Sequence, residues 1–208
     1  MQSTELALSI IILLFSVILH EVMHGLVALR FGDHTSERAG RLTLNPLPHI
    51  DLFGSILLPI SMMLFSGGRF AFGYAKPVPV NPSHFSDIRK GELLVSMAGI
   101  LANMALAVTA AIVFRTLQFN QFSTSLLSQA LINAVAINIS LAIFNLIPIP
   151  PLDGSKILIS QLPYNLARQV QSLEPFGMII LLVLLVTGII NLLGSLVIMP
   201  LFNLLLGF

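Results

Sequence analysis

The sequence predicts an all-α integral membrane protein with about four transmembrane helices and a re-entrant, β-hairpin-like segment dipping into the membrane. Three observations predict it. Hydrophobic residues make up 56% of the 208 and the mean hydropathy is +0.94. Charged residues are only 9%, against about 25% in soluble domains. The apolar residues also fall in runs long enough to cross a hydrocarbon core of about 30 Å at about 1.5 Å per helical residue. The whole chain, 1–208, reads as one membrane-embedded domain, with no internal repeat.

The first span covers about 4–29, and no basic n-region or small-residue cleavage site marks it for removal. A polar loop follows to Arg41, then a strand-like piece, Leu42 to Pro48. The run from Leu52 to Phe65 is short for a crossing and contains Gly54 and Pro59, which suits a re-entrant segment. The rest of 42–90 is rich in Gly and Pro (Lys76-Pro77-Val78-Pro79-Val80-Asn81-Pro82) and reads as irregular and partly extended. A second span covers 92–117 and a third 126–146, joined by a polar turn from Gln118 to Ser125. Pro148, Pro150 and Pro151 then forbid regular helix. An amphipathic piece at 155–173 is expected along the interface, and a last crossing at 176–199 leads into a bent tail.

Charge orients these elements. Of ten Lys and Arg residues, Arg30, Arg38, Arg41, Arg69, Lys76, Arg89, Lys90, Lys156 and Arg168 fall on one side if 52–65 does not cross. Arg115 alone falls on the other. The positive-inside rule makes the basic side cytoplasmic and puts the N-terminus outside. The net charge of +1 and the lack of a basic patch with interleaved aromatics exclude a nucleic-acid partner. With no cysteine, disulfides and thiolate metal sites are excluded, so a metal would need His and carboxylate ligands.

Such ligands are present. His20-Glu21-Val22-Met23-His24 lies near the end of the first apolar run. Four residues apart on an α-helix, the two imidazoles share a face, while Glu21 stands about 100° from His20 and flanks that face. This is the H-E-x-x-H arrangement of zinc hydrolases. The pattern also occurs by chance. Three ionisable groups in a membrane span, each costing about 2.5–3.5 kcal/mol on insertion scales, are however hard to explain as filler. A catalytic zinc usually takes three protein ligands. Asp153, at the cytoplasmic end of the third span, is the leading third ligand; its other reading is a turn aspartate capping the next helix. Zinc would bring the pKa of a bound water to about 7, and Glu21 would act as general base.

These residues resemble a known family. His20 to Ala28 resembles the H-E-x-x-H-x-x-x-A of the site-2 proteases (peptidase family M50). Asn145 to Gly154 resembles their N-x-x-P-x-x-x-x-D-G block. Leu44-Asn45-Pro46 through Gly54, Gly73 to Val80, and Gly99 to Asn103 resemble the connecting region and following span of short prokaryotic members that lack a PDZ domain. The resemblance implies a zinc protease of the prokaryotic cell membrane that cuts transmembrane helices of other proteins. It implies one Zn2+ on His20, His24 and Asp153, Glu21 as base, and Asn145 in the substrate or oxyanion pocket. Interhelical hydrogen bonding explains Asn145 equally well, and Asn138 reads as packing glue. Residues 42–80 would accept an extended substrate. His49 with Asp51 reads as an accessory site or an interfacial turn, and His84 as solvated. A metal transporter and a non-catalytic scaffold of the same ancestry stay open as alternatives.

Overall fold

The computed structural model describes residues 3–65, 73–119 and 125–207. The long helices fall close to where hydropathy puts them: α1 is Ser3–Arg30, α4 is Ile88–Phe119 and α5 is Ser125–Asn145. Between the first two lie α2 (Thr35–Arg38) and α3 (Leu58–Phe65), the latter continuing from a π-helical turn, Leu52–Leu57. After the proline break come α6 (Asp153–Gln161), α7 (Tyr164–Gln171), α8 (Gly177–Val186), α9 (Ile189–Leu193) and α10 (Met199–Leu206), the last two joined by a π-helical stretch, Gly194–Ile198.

The central element is α4. Its buried residues are Gly91, Val95, Ser96, Ala98, Gly99, Ile100, Ala102, Asn103, Ala107, Ala110, Ala111 and Phe114. Most of them are small, which lets neighbouring backbones approach closely where no hydrophobic effect drives helices together. Helices α1, α5 and α6 pack on it. At one end Ala107, Ala110, Ala111 and Phe114 meet Val135, Ile139 and Leu206 in a closed apolar cluster. The outward residues of α1, including Leu6, Ile10, Ile11, Leu14 and Phe15, are exposed, as lipid-facing positions should be.

Five stretches of the described residues are long and apolar enough to cross a membrane, one more than expected. The difference lies at the C-terminal end. The continuous crossing expected at 176–199 is broken at Gly188, whose φ of +78° is left-handed. One apolar stretch therefore ends at Val186 and another runs Ile189–Leu206. Arg115 of α4 donates to the Leu204 carbonyl, and Leu206 joins the closed cluster, so the second stretch runs along α4 and α5. The amphipathic piece at 155–173 is likewise two helices, divided at Leu162-Pro163.

The segment 42–90 takes no strand pairing among the described residues. Leu42 to Pro48 forms bends and a 3-10 turn rather than the strand-like piece expected, and 52–65 is helical. Residues 66–72 of the expected loop and 120–124 of the expected turn lie outside the described residues. From Gly73 to Asn81 the chain is extended and laid across the end of α1. Arg41 donates to the Lys76 carbonyl at 2.7 Å, Ser36 to the Pro79 carbonyl at 2.7 Å, and the Lys76 N–H to the His49 carbonyl at 2.9 Å.

Asp33 holds the far end of this segment. It is fully buried and accepts from the Asn81 N–H at 2.7 Å, the Thr35 N–H at 3.0 Å, the Thr35 hydroxyl and the His84 ring at 3.0 Å. His84 is thus tied down rather than simply solvated. Burial pushes the Asp33 pKa up, but those hydrogen bonds outweigh it and bring the carboxyl from 3.8 to about 2. A depressed carboxyl pKa stabilises the fold fully above its unfolded value and is lost as pH falls through the folded one. Asp33→Asn is therefore expected to melt below wild type at pH 6 in detergent, the gap closing as pH falls from 3.8 toward about 2. A gap independent of pH would remove Asp33 from this role.

Candidate metal centre

His20 and His24 project from the last three turns of α1 toward α4 and α6, and both are buried. Their rings stand 4.6 Å apart and nearly perpendicular. The His20 and His24 Nε2 atoms are 3.0 Å from each other, and each is 3.1 Å from Asp153 Oδ2. Residues more than a hundred positions apart thus bring three ligand atoms to one point. Asp153 opens α6 and makes no side-chain cap there; Leu152 occupies the cap position. The aspartate is turned onto the histidines.

The other ring nitrogens select the tautomer. His20 Nδ1 lies 2.6 Å from Asn103 Oδ1, and His24 Nδ1 lies 2.6 Å from the Val95 carbonyl oxygen. Both partners only accept, so each Nδ1 carries a proton, and in the neutral ring the free nitrogen is Nε2, turned toward Asp153. Two imidazole Nε2 atoms and a carboxylate oxygen at about 3 Å crowd their lone pairs together unless a proton or a metal ion lies among them. Asp153 Oδ2 is buried with no hydrogen-bond partner among the described residues. The three atoms form the one His/Asp/Glu cluster able to hold a metal among those residues. Two imidazoles, one carboxylate and no thiolate make a donor set suited to zinc.

A cleft of about 280 Å³ opens on this point, lined by Glu21, Val78, Val80, Phe85, Glu92 and Asn145 besides the ligands. Glu21 flanks the histidines, and its Oε2 accepts the Val78 N–H at 2.7 Å. The extended segment therefore holds this carboxylate at the cleft. Asn145 forms part of the wall but donates to its own helix, to the Leu141 carbonyl at 3.0 Å. Lys156, one turn after Asp153, sets its ammonium 3.5 Å from Oδ1, the oxygen facing away from the histidines. His49 and Asp51 take separate partners: the ring bonds the Thr43 carbonyl at 2.9 Å, and the carboxylate caps the Gly54 N–H at 2.6 Å. His49 closes a 3-10 turn and Asp51 caps the helical turn that follows.

Sequence reasoning did not find what supports the histidines. Asn103, Ser16, the Val95 carbonyl and Gly99 all act on them, and only Gly99 and Asn103 stood out, as elements of a motif with no role attached. A Cβ built on Gly99 would lie 2.5 Å from His20 Cε1 and 2.6 Å from both Nε2 atoms. The available signal was an amide in the middle of an apolar span, where polar side chains are costly and seldom idle.

Comparison with known proteins agrees with this chemistry. The model of peptidase family M50 matches residues 117–187, a stretch holding Asn145 and Asp153 but not the histidine pair. YwhC of Bacillus subtilis, which bears the provisional name of a zinc metalloprotease, is 37% identical over 93% of this chain and 85% of its own length. Rip2 of Mycolicibacterium smegmatis and Rip2 of Mycobacterium tuberculosis, provisionally named likewise, are 32% and 33% identical over 86% of the chain. The chain spans 66% of the length of each Rip2 protein. No solved structure gives a significant match.

Proposed function

Because this chain belongs to peptidase family M50, the site-2 protease family, we propose that it is a zinc metalloendopeptidase cutting membrane proteins within or beside their transmembrane helices. The observation that carries this reading is the convergence of three potential ligand atoms, His20 Nε2, His24 Nε2 and Asp153 Oδ2, within 3.0–3.1 Å of one another. They would hold Zn2+, which when bound polarises a carbonyl and acidifies water.

The remaining steps fall to the chain's own residues. Glu21 takes a proton from the attacking water and returns it to the leaving nitrogen, so that peptide and water become acid and amine. The Val78 N–H keeps that carboxylate at the cleft. Asn145 lines the wall and bounds the space for substrate. A substrate helix must unwind first, since its backbone is otherwise hydrogen-bonded within itself. The unwound chain would lie beside residues 74–80. That segment is already extended, and its Lys76 and Val78 N–H groups bond the protein side. Ala75 and Pro77 have no backbone partner among the described residues.

The basic side of the chain supports a site toward the cytoplasm, in a prokaryotic cell membrane with the N-terminus outside. The test is cleavage of a single-span substrate in liposomes before and after removal of metal by a chelator. Activity is expected to vanish and to return with Zn2+. Undiminished cleavage by the stripped protein would overturn the reading. Zinc binding without cleavage of any single-span substrate would favour the non-catalytic scaffold. Zinc accumulation inside the liposomes would favour the transporter, although that function needs ligands along a path and these lie together.

A further inference from the structure

We infer that Asn103, braced by Asn138 and Ser16, is a positioning residue that sets the tautomer and ring orientation of His20 for metal binding. The inference rests on the zinc reading above and extends it to three residues that touch neither ion nor substrate.

The network has one consistent direction. Asn138 Nδ2 donates to Ser16 Oγ and to the Ala134 carbonyl, both at 2.9 Å. Asn138 Oδ1 accepts from Asn103 Nδ2 at 2.9 Å, and the same nitrogen also donates to the Ser16 carbonyl at 3.3 Å. With both amide protons of Asn103 occupied, its oxygen must be the end facing His20 Nδ1, at 2.6 Å. An amide oxygen cannot donate, so it keeps a proton on Nδ1, and the free nitrogen of the neutral ring is then Nε2. The arrangement also prevents the Asn103 amide from turning over, which an isolated asparagine could do.

Burial raises the stakes. Asn103, Asn138 and Ser16 are 0%, 2% and 1% exposed, in a region where an unmade hydrogen bond is expensive. They come from α4, α5 and α1 and meet at one imidazole. Packing glue alone would need the amides to satisfy each other, and it would not need an oxygen aimed at a ring nitrogen. Outer partners of this kind typically change metal affinity by about 10–100-fold when removed.

The two roles separate on the purified full-length protein by chelator competition for Zn2+, with no turnover involved. Asn103→Leu removes the acceptor and is expected to weaken zinc binding by about 10–100-fold. Asn103→Asp keeps an acceptor for Nδ1. This variant is expected to bind zinc about as tightly as wild type. Asn138→Ala leaves the oxygen facing His20 but frees the Asn103 amide to turn, and should show a smaller loss than Asn103→Leu. The visible spectrum of the Co2+-loaded proteins should change in the same order. If Asn103→Leu does not fold, Asn138→Ala and Asn103→Asp are read alone. Unchanged affinity in Asn103→Leu, or in Asn138→Ala when that is the variant read, overturns the inference. So does Asn103→Asp binding as weakly as Asn103→Leu or Asn138→Ala. A wild-type protein that binds no zinc would instead overturn the metal reading beneath it.

Discussion

In Glu21→Gln, cleavage is expected to fall by about 10²–10⁴-fold while zinc content stays at the wild-type level, because only the proton transfer is removed. The amide is close to isosteric with the carboxylate, and its oxygen can still accept the Val78 N–H that Glu21 accepts at 2.7 Å. The extended segment should therefore stay where it is. His24→Ala and Asp153→Ala act differently. Each deletes one of three converging donors, so metal and cleavage should be lost together. Zinc per protein, measured by elemental analysis alongside cleavage, checks both. Full cleavage by the Glu21→Gln protein would leave the chain without its general base and send the assignment to another residue.

Gly99→Ala is expected to abolish zinc binding without touching a ligand. The added methyl would sit 2.6 Å from His20 Nε2 and from His24 Nε2, in the space the ligand atoms face. The rings cannot swing away cheaply, since Asn103 and the Val95 carbonyl each hold an Nδ1 at 2.6 Å. Two ligand nitrogens would therefore be pushed off the point where they meet Asp153 Oδ2. The helix itself should not suffer, because alanine is favoured over glycine within a helix by about 1 kcal/mol. Helicity by circular dichroism should thus be retained while chelator competition reports the loss. Normal zinc affinity would mean that α4 gives way at this point, and that close packing of the helix on the histidines is not needed.

Local chemistry made much of this protein readable. A period of four puts His20 and His24 on one helix face whatever surrounds them. The prolines after Asn145 stop a helix in any context, and Asp153 stands directly beyond them. The C-terminal crossing was not readable in the same way. Phe176 to Phe208 is apolar throughout, and the helix break falls at Gly188, a residue compatible with either course. That choice follows from where α10 packs against Phe114, Val135 and Ile139, which is a property of the assembled bundle.

The amino-acid sequence by itself determined that the chain lives in a membrane, that two imidazoles share a face, and that the ligands must be nitrogen and carboxylate. Those conclusions need only hydropathy, helical periodicity and the absence of thiols. Tertiary structure alone decided which nitrogen of each histidine faces Asp153, what holds Glu21, and why position 99 has no side chain. Each depends on a partner dozens of residues away, Asn103 for His20, Val95 for His24 and Val78 for Glu21. A hydrogen bond is set by distance and direction in space, and neither can be read from spacing along a chain.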